Sequence, residues 1–283
     1  QVTELVSPRS ESTRVADDTC RNSCGISPRE EQEQELYAYL KCAEDEFMHT
    51  RLELSSQGEP TSKRRVTLVD WLIEVSEEFD LVPETTFLSV YLMDRYLRID
   101  DISRKLLQLL GITSLYIAAK FEEIYVPRID EFCDITDNTY TREEVIGMER
   151  QVLQVVKFRI CQPTAWTFVA QYLQVPEPDD ADFLTSYLCE LTLLDCTFYS
   201  FRPSRIAACS RMLGISLTGG SWSSQLRDRT GYGQSCLRSC AVKLKSLATS
   251  DAVTQLAVHE KYSSLRFSGV AKRLLLGEWM WPI

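Results

Sequence analysis

Apolar positions along this chain recur at the spacing of a helix, and strand-like alternation of apolar and polar residues is absent throughout. From Pro28 the stretch "REEQEQELYAYLKCAEDEFMHTRLEL" lines up Leu36, Tyr39, Leu40 and Phe47 on one stripe. Its early acids suit the positive end of a helix dipole. The polar run "SSQGEPTSK" is predicted to end that helix. Five helical segments then follow closely. "SKRRVTLVDWLIEVSEEF" carries Val66, Val69, Ile73 and Phe79 on one side with Leu68, Trp71, Leu72 and Val75 beside them, too wide a stripe for a surface helix. "PETTFLSVYLMDRYLR" starts on Pro83, a residue favoured in the first turn. "SRKLLQLLGITSLYIAAKFEE" is apolar nearly all round, and Gly111, Ala118 and Ala119 let neighbours come close, which predicts the central helix of a globule. After Pro127 come a short helix, "RIDEFCDI", and "TREEVIGMERQVLQVVKF", which opens with a capping box from Thr141 to Glu144.

Beyond Pro163 a second block repeats the plan with "PTAWTFVAQYLQV", "DADFLTSYLCELTLLDCTFY", "RPSRIAACSRMLGISLTG", "SWSSQLRDRTG" and "GQSCLRSCAVKLKSLATS". The pattern therefore predicts an all-α protein of two successive five-helix globules preceded by one lead helix. "QLLGITS" and "RMLGISL" echo each other, a weak sign of an internal repeat. The expected divisions are a flexible segment over 1–28, a helix and linker over 29–62, globules over 63–161 and 162–265, and a tail over 266–283. The first segment is polar and aperiodic, and its Ser7-Pro8 and Ser27-Pro28 dipeptides fit proline-directed kinases and ordinary turns equally.

Composition narrows the chemistry. The chain is 44% apolar and carries a formal charge of -10, which argues against a phosphate-gripping surface and leaves proteins or small molecules as partners. No uncharged apolar run is long enough to span a bilayer. The ten cysteines form no CxxC pair and read as reduced intracellular thiols, most of them small apolar fillers. The two histidines, His49 and His259, sit in polar helical contexts and read as surface residues. Phosphate-binding loops, GxSxG and HExxH are all missing, so neither a metal, a cofactor nor a catalytic centre is expected.

One stretch remains unexplained by packing. In "YIAAKFEEIYVP" a buried-looking run ends on Lys120, and Glu122 and Glu123 follow. The plain account of Lys120 is a cation on the negative end of its helix, contributing about 0.3–1 kcal/mol. That of Glu149 is a solvated helical acid.

These residues belong to a longer likeness. "TLVDWLIEVSEEFDL", "AAKFEEIYVPRIDEFCDITDNTYTREEVIGME", "CELTLLDCTFYSFRPSRIAA" and "HEKYSSLRFSGVAK" resemble the cyclins, specifically the A type with features shared by the B type, over roughly residues 35 to 272. The resemblance implies two tandem cyclin boxes, no enzymatic activity, and a regulatory subunit that activates a cyclin-dependent kinase during S, G2 and M phases, in the nucleus and cytoplasm. Five hallmark positions of the box are occupied, by Arg65, Asp94, Leu109, Lys120 and Glu149. The likeness implies a buried Arg65–Asp94 ion pair, a core role for Leu109, and Lys120 and Glu149 bonding to the kinase backbone at its αC helix. Phe121, Glu122, Glu123, Ile124, Leu153 and Phe158 match kinase-facing positions, with Tyr39 as an outlying contact; a core role for Phe158 is an equal alternative.

The likeness also implies a shallow groove that docks Arg-x-Leu motifs of substrates and inhibitors. Leu68, Trp71, Glu74, Arg104, Leu107 and Gln108 match it. The A-type pattern M-R-A-I-L-V-D-W-L, however, is met here by "RRVTLVDWL", so Arg64 and Thr67 replace an apolar Met and Ile. Docking of such motifs is therefore expected to be weakened. Tandem cyclin folds also occur in transcription adaptors, and that is the rival reading; acidic charge speaks against its DNA grip.

Overall fold

The computed structural model describes residues 28–51, 59–99, 102–174, 177–279 and 281. Apart from Pro28, the flexible segment expected over 1–28 lies outside them, with both Ser-Pro serines, Cys20 and Cys24. Thirteen α-helices run in order among the described residues: α1 (Pro28–Arg51), α2 (Glu59–Glu78), α3 (Pro83–Leu97), α4 (Arg104–Glu122), α5 (Ile129–Asp134), α6 (Arg142–Val155), α7 (Ala165–Tyr172), α8 (Asp179–Leu191), α9 (Pro203–Leu217), α10 (Ser224–Thr230), α11 (Gln234–Ala248), α12 (Ala257–Tyr262) and α13 (Val270–Leu275). There is no strand among these residues, so the fold is all-α.

The chain divides between Leu40 and Lys41, inside α1. Over the first part, Leu36 and Tyr39 are exposed. The second part, residues 41–283, holds α2 to α13.

Each box is built round one helix that is apolar on most sides. In α4, Leu109, Leu110, Ile112, Leu115, Ile117, Ala118 and Ala119 are buried; in α9 the same holds for Ile206, Ala207, Ala208, Cys209, Leu213 and Ile215. The echo between "QLLGITS" and "RMLGISL" has a physical counterpart here. A Cβ on Gly111 would lie 2.9 Å from Leu68 Cδ1, and one on Gly214 would lie 2.5 Å from both Ala181 O and Thr185 Oγ1. Each glycine thus marks where a neighbour, α2 or α8, passes closest to the central helix.

Several elements differ from the sequence pattern. Glu59 to Lys63 open α2 instead of forming a turn, with Pro60 in the first turn where a missing N–H costs no helical bond. The single helix expected through Tyr199 ends at Leu191 and continues as 3-10 turns over Thr192–Leu194 and Cys196–Ser200. Asp195 breaks them with an extended backbone, and its carboxylate accepts from Thr197 N at 2.9 Å. The expected tail contains α13, whose Val270, Ala271 and Leu274 are buried, and Arg273 Nη2 ties it to Asp180 Oδ2 on α8 at 2.9 Å.

His259 is buried, not on the surface. Its ring meets Tyr187 Oη, and burial followed by nearby Lys272 lowers its pKa. Of the eight described cysteines, Cys133, Cys189, Cys209 and Cys240 are buried helical fillers, whereas Cys42, Cys161 and Cys236 are exposed and Cys196 is half-buried.

The two boxes are tied by charge. Arg65 of α2 donates to both oxygens of Asp94 on α3, at 2.8 and 2.9 Å, and reaches Leu193 O in the second box at 2.7 Å. The Tyr199 hydroxyl is a further partner. Lys261 of α12 lies 2.9 Å from Glu77 on α2 and 2.9 Å from the buried Glu190 on α8. From the other side, Glu44 of α1 accepts from Ser204 N at 3.0 Å and Ser204 Oγ at 2.8 Å at the start of α9.

Removing Asp94 would strand a guanidinium that is 4% exposed. Asp94→Ala is expected to destabilise by about 3–5 kcal/mol. A denaturant titration by circular dichroism measures it, and a midpoint equal to the parent's would remove the pair from its structural role.

A candidate protein-interaction rim

The rim is assembled where α4 ends and α6 passes beside it. Lys120 stands in the last turn of α4, half-exposed, with its ammonium 4.3 Å above the Tyr116 ring. It forms an ion pair with Glu149, which α6 presents from its buried Val145–Met148–Val152 face. Among the described residues, then, Lys120 pairs with a side chain of another helix, and Glu149 is no freely solvated acid.

Apolar side chains follow on the same two helix ends. Phe121, Ile124 and Phe158 are exposed and Leu153 is half-buried. Phe158 is 70% exposed, which excludes the core alternative. Its orientation comes from the end of α6, where Lys157 and Phe158 both take positive φ, +53° and +59°. Phe158 N bonds back to Leu153 O at 2.9 Å, closing the helix with the six-to-one bond usually built with glycine. Two non-glycine residues in the left-handed region cost on the order of 1–3 kcal/mol each, and such strain gathers at functional positions.

Glu123 departs from the expectation that it faces outward for a partner. Its Oε1 accepts from Val82 N at 2.8 Å and from Thr85 Oγ1 at 2.6 Å. Val82 is the N-cap of α3 and offers no side-chain cap of its own, so Glu123 caps that helix from the end of α4. Its neighbour Glu122 remains exposed, with its carboxyl pushed upward by partial burial and then by Glu84 and Glu123. The sequence reading passed over Tyr125 and Val126. Tyr125 is 90% exposed beside the equally exposed Ile124. The available signal was an apolar run, "IYV", between a helix end and Pro127, where a linker is ordinarily polar. Tyr39 is exposed on the first part of α1.

A second surface lies between α2 and α4. Arg64, Thr67, Leu68, Trp71, Leu107 and Gln108 line an open groove of about 410 Å³. Leu68 is buried and Trp71 half-buried, while Arg64 and Thr67 are exposed. Glu74 lies further along α2, exposed, its pKa raised by burial first and then by Asp70 and Glu260. Asp70 caps α12 by accepting from Ala257 N at 2.8 Å. Arg104 is the first residue of α4. Among the described residues no group of three His, Cys, Asp or Glu could hold a metal, and no helix is long and apolar enough to cross a membrane.

Comparison with known proteins brings the two halves under one description. Residues 35–161 match the family model "Cyclin, N-terminal domain" and residues 163–274 match "Cyclin, C-terminal domain". "Cyclin-A2-4" of Arabidopsis thaliana is 43% identical over 226 residues, which is 76% of this chain and 49% of that protein. "Cyclin-A1-1" of Oryza sativa subsp. japonica is 39% identical over 255 residues, 84% of this chain and 49% of that protein. The chain thus spans about half the length of these relatives. Among solved structures, a viral cyclin from herpesvirus saimiri superposes with a TM-score of 0.64 at 20% identity, over 74% of this chain and 96% of that one.

Because Glu123 is held by α3, its loss acts on stability. Glu123→Ala is expected to destabilise by about 1 kcal/mol through the lost cap, and Glu123→Gln by less, since the amide oxygen can still accept. Urea midpoints of the two variants measure this, and equal midpoints for Glu123→Ala and the parent would return Glu123 to the set of free rim acids.

Proposed function

The chain belongs to the cyclin family, and on that premise we propose that it is the regulatory subunit of a cyclin-dependent protein kinase acting in the S, G2 and M phases, with no chemistry of its own. The observation that carries the reading is the Lys120–Glu149 ion pair joining α4 to α6, together with the solvent exposure of Phe121 and Ile124 at the end of α4 and of Phe158 just beyond α6. A cluster of aromatic and aliphatic side chains round a few charged groups is what an interface hot spot requires. Glu122 and Leu153 extend the surface; Tyr39, on the first part of α1, is proposed as a separate contact. Glu123 contributes by fixing the junction of α3 and α4 and is not itself a contact.

A kinase needs its strand lysine paired with the αC glutamate and its activation loop clear of the substrate site. A rigid helical surface that binds αC only in its inward position shifts that equilibrium by its differential affinity. Lys120 and Glu149 supply one charged donor and one charged acceptor for the kinase backbone, and their mutual pairing holds both ready until a partner exchanges with it. The partner is therefore a protein kinase, in a heterodimer located in the nucleus and cytoplasm.

One double variant tests the rim. Lys120→Ala combined with Glu149→Ala is expected to abolish kinase activation in a reconstituted assay, while helical content and melting temperature stay close to the parent's. Retained activation by the folded double variant would place the kinase elsewhere.

The groove between α2 and α4 is proposed to take Arg-x-Leu motifs weakly. Replacing two apolar side chains with Arg64 and Thr67 forfeits roughly 1–3 kcal/mol of burial at about 25 cal/mol per Å², or about one to two decades of affinity. Arg64→Met with Thr67→Ile is expected to tighten binding of an Arg-x-Leu peptide in fluorescence anisotropy by about tenfold or more. Activity of the bound kinase on a short substrate lacking the motif is expected not to change; a parent that binds the peptide as tightly as the double variant would contradict the reading.

A further inference from the structure

The groove between α2 and α4 carries opposite charges at its two ends. On α2, Arg64, Leu68, Trp71 and Glu74 follow one another at steps of three or four residues and so share one face of the helix. Leu68, Trp71 and, from α4, Leu107 make the apolar middle. Arg64 is exposed at one end, and among the described residues its guanidinium meets no carboxylate. Glu74 is exposed at the other end and has no ion-pair partner among them either. Asp70 and Glu260 add negative charge at that end.

The spacing of these charges fits an extended segment of a partner protein. Arg64 and Glu74 stand ten residues apart on α2, about 15 Å along a helix that rises 1.5 Å per residue. An extended peptide advances roughly 3.3 Å per residue and points alternate side chains the same way. Its first, third and fifth side chains therefore face the groove together and span about 13 Å. With an arginine first, at Glu74, the third residue falls about 7 Å along, between Trp71 and Leu68. The fifth then lies within a side chain's reach of Arg64.

We propose that the groove selects partner segments of the form Arg-x-Leu-x-acid, in which an Asp or Glu two residues beyond the leucine pairs with Arg64. This rests on the reading of the groove as an Arg-x-Leu docking site and adds what decides which segments it takes. Arg64 removes apolar cover from the leucine and supplies a second recognition point in its place. Guanidinium suits a carboxylate, offering parallel N–H bonds in a fixed plane. A segment with a basic residue at the fifth position is repelled, so the exchange of apolar cover for charge acts on choice of partner more than on raw affinity.

The test is fluorescence anisotropy on the full chain with three amidated peptides that share one sequence, Arg-Ala-Leu-Ala followed by Glu, Gln or Lys. The glutamate peptide is expected to bind about two- to fivefold tighter than the glutamine peptide, the gain an exposed ion pair allows. The lysine peptide is expected to be weakest. In a chain of net charge -10, that order runs against the overall field and so requires a local cation. Arg64→Glu, a change at an exposed position, is expected to invert the order, and Arg64→Met with Thr67→Ile is expected to bind all three alike. Equal affinities for the glutamate and glutamine peptides, or an order unchanged in Arg64→Glu, would overturn the inference and leave the docking groove standing. The same holds if only the Met/Ile double variant binds any peptide. No binding by the parent and the double variant alike would overturn the groove itself and the inference with it. A parent dimer in analytical ultracentrifugation that the glutamate peptide dissociates would assign the groove to a second copy of the chain and overturn the partner class.

Discussion

A guanidinium buried at the junction of two boxes has to be satisfied completely or the junction does not form. Arg65 meets that constraint with partners from separate parts of the chain: Asp94 on α3, the Leu193 carbonyl and the Tyr199 hydroxyl. An apolar residue could fill the same space without desolvating a charge. What the charge adds is geometry, since a planar fork with donors in fixed directions admits few arrangements of α2, α3 and the 3-10 turns. The rim and the groove both inherit this order, because α2 and α4 pack directly on the framework that Arg65 fixes.

Tight packing does the rest. Gly111 and Gly214 bring a neighbouring helix against the central helix of each box at the equivalent place. Density at that crossing lets α4 hold Lys120 at its end in a defined position. Glu123 then locks the same end to α3, so the turn bearing Phe121 and Ile124 is anchored on two sides. The exposed apolar residues are thus displayed from a rigid base.

Much of this was legible from residue spacing. The apolar period of 3.6 marked α2 to α4, α6, α9 and α11, and Thr141 with Glu144 announced the start of α6. What escaped were features decided by residues far apart in sequence. Burial of His259 depends on Tyr187, 72 positions away, and the capping role of Glu123 depends on Val82, 41 positions away. The exposed "IYV" run, by contrast, is legible in the sequence itself as an apolar stretch at a linker position.

The reach of Arg65 also sets an order of events during synthesis. Its carbonyl partner lies 128 residues and its tyrosine partner 134 residues further along the chain. At about 5–20 residues per second, a ribosome delivers them on the order of ten seconds after Arg65 itself. For that interval the first box carries an arginine whose final surroundings do not yet exist, so its native packing waits on the second box. Nascent chains stalled before Leu193 would thus present a first box that is helical, incompletely closed and a natural client for chaperones.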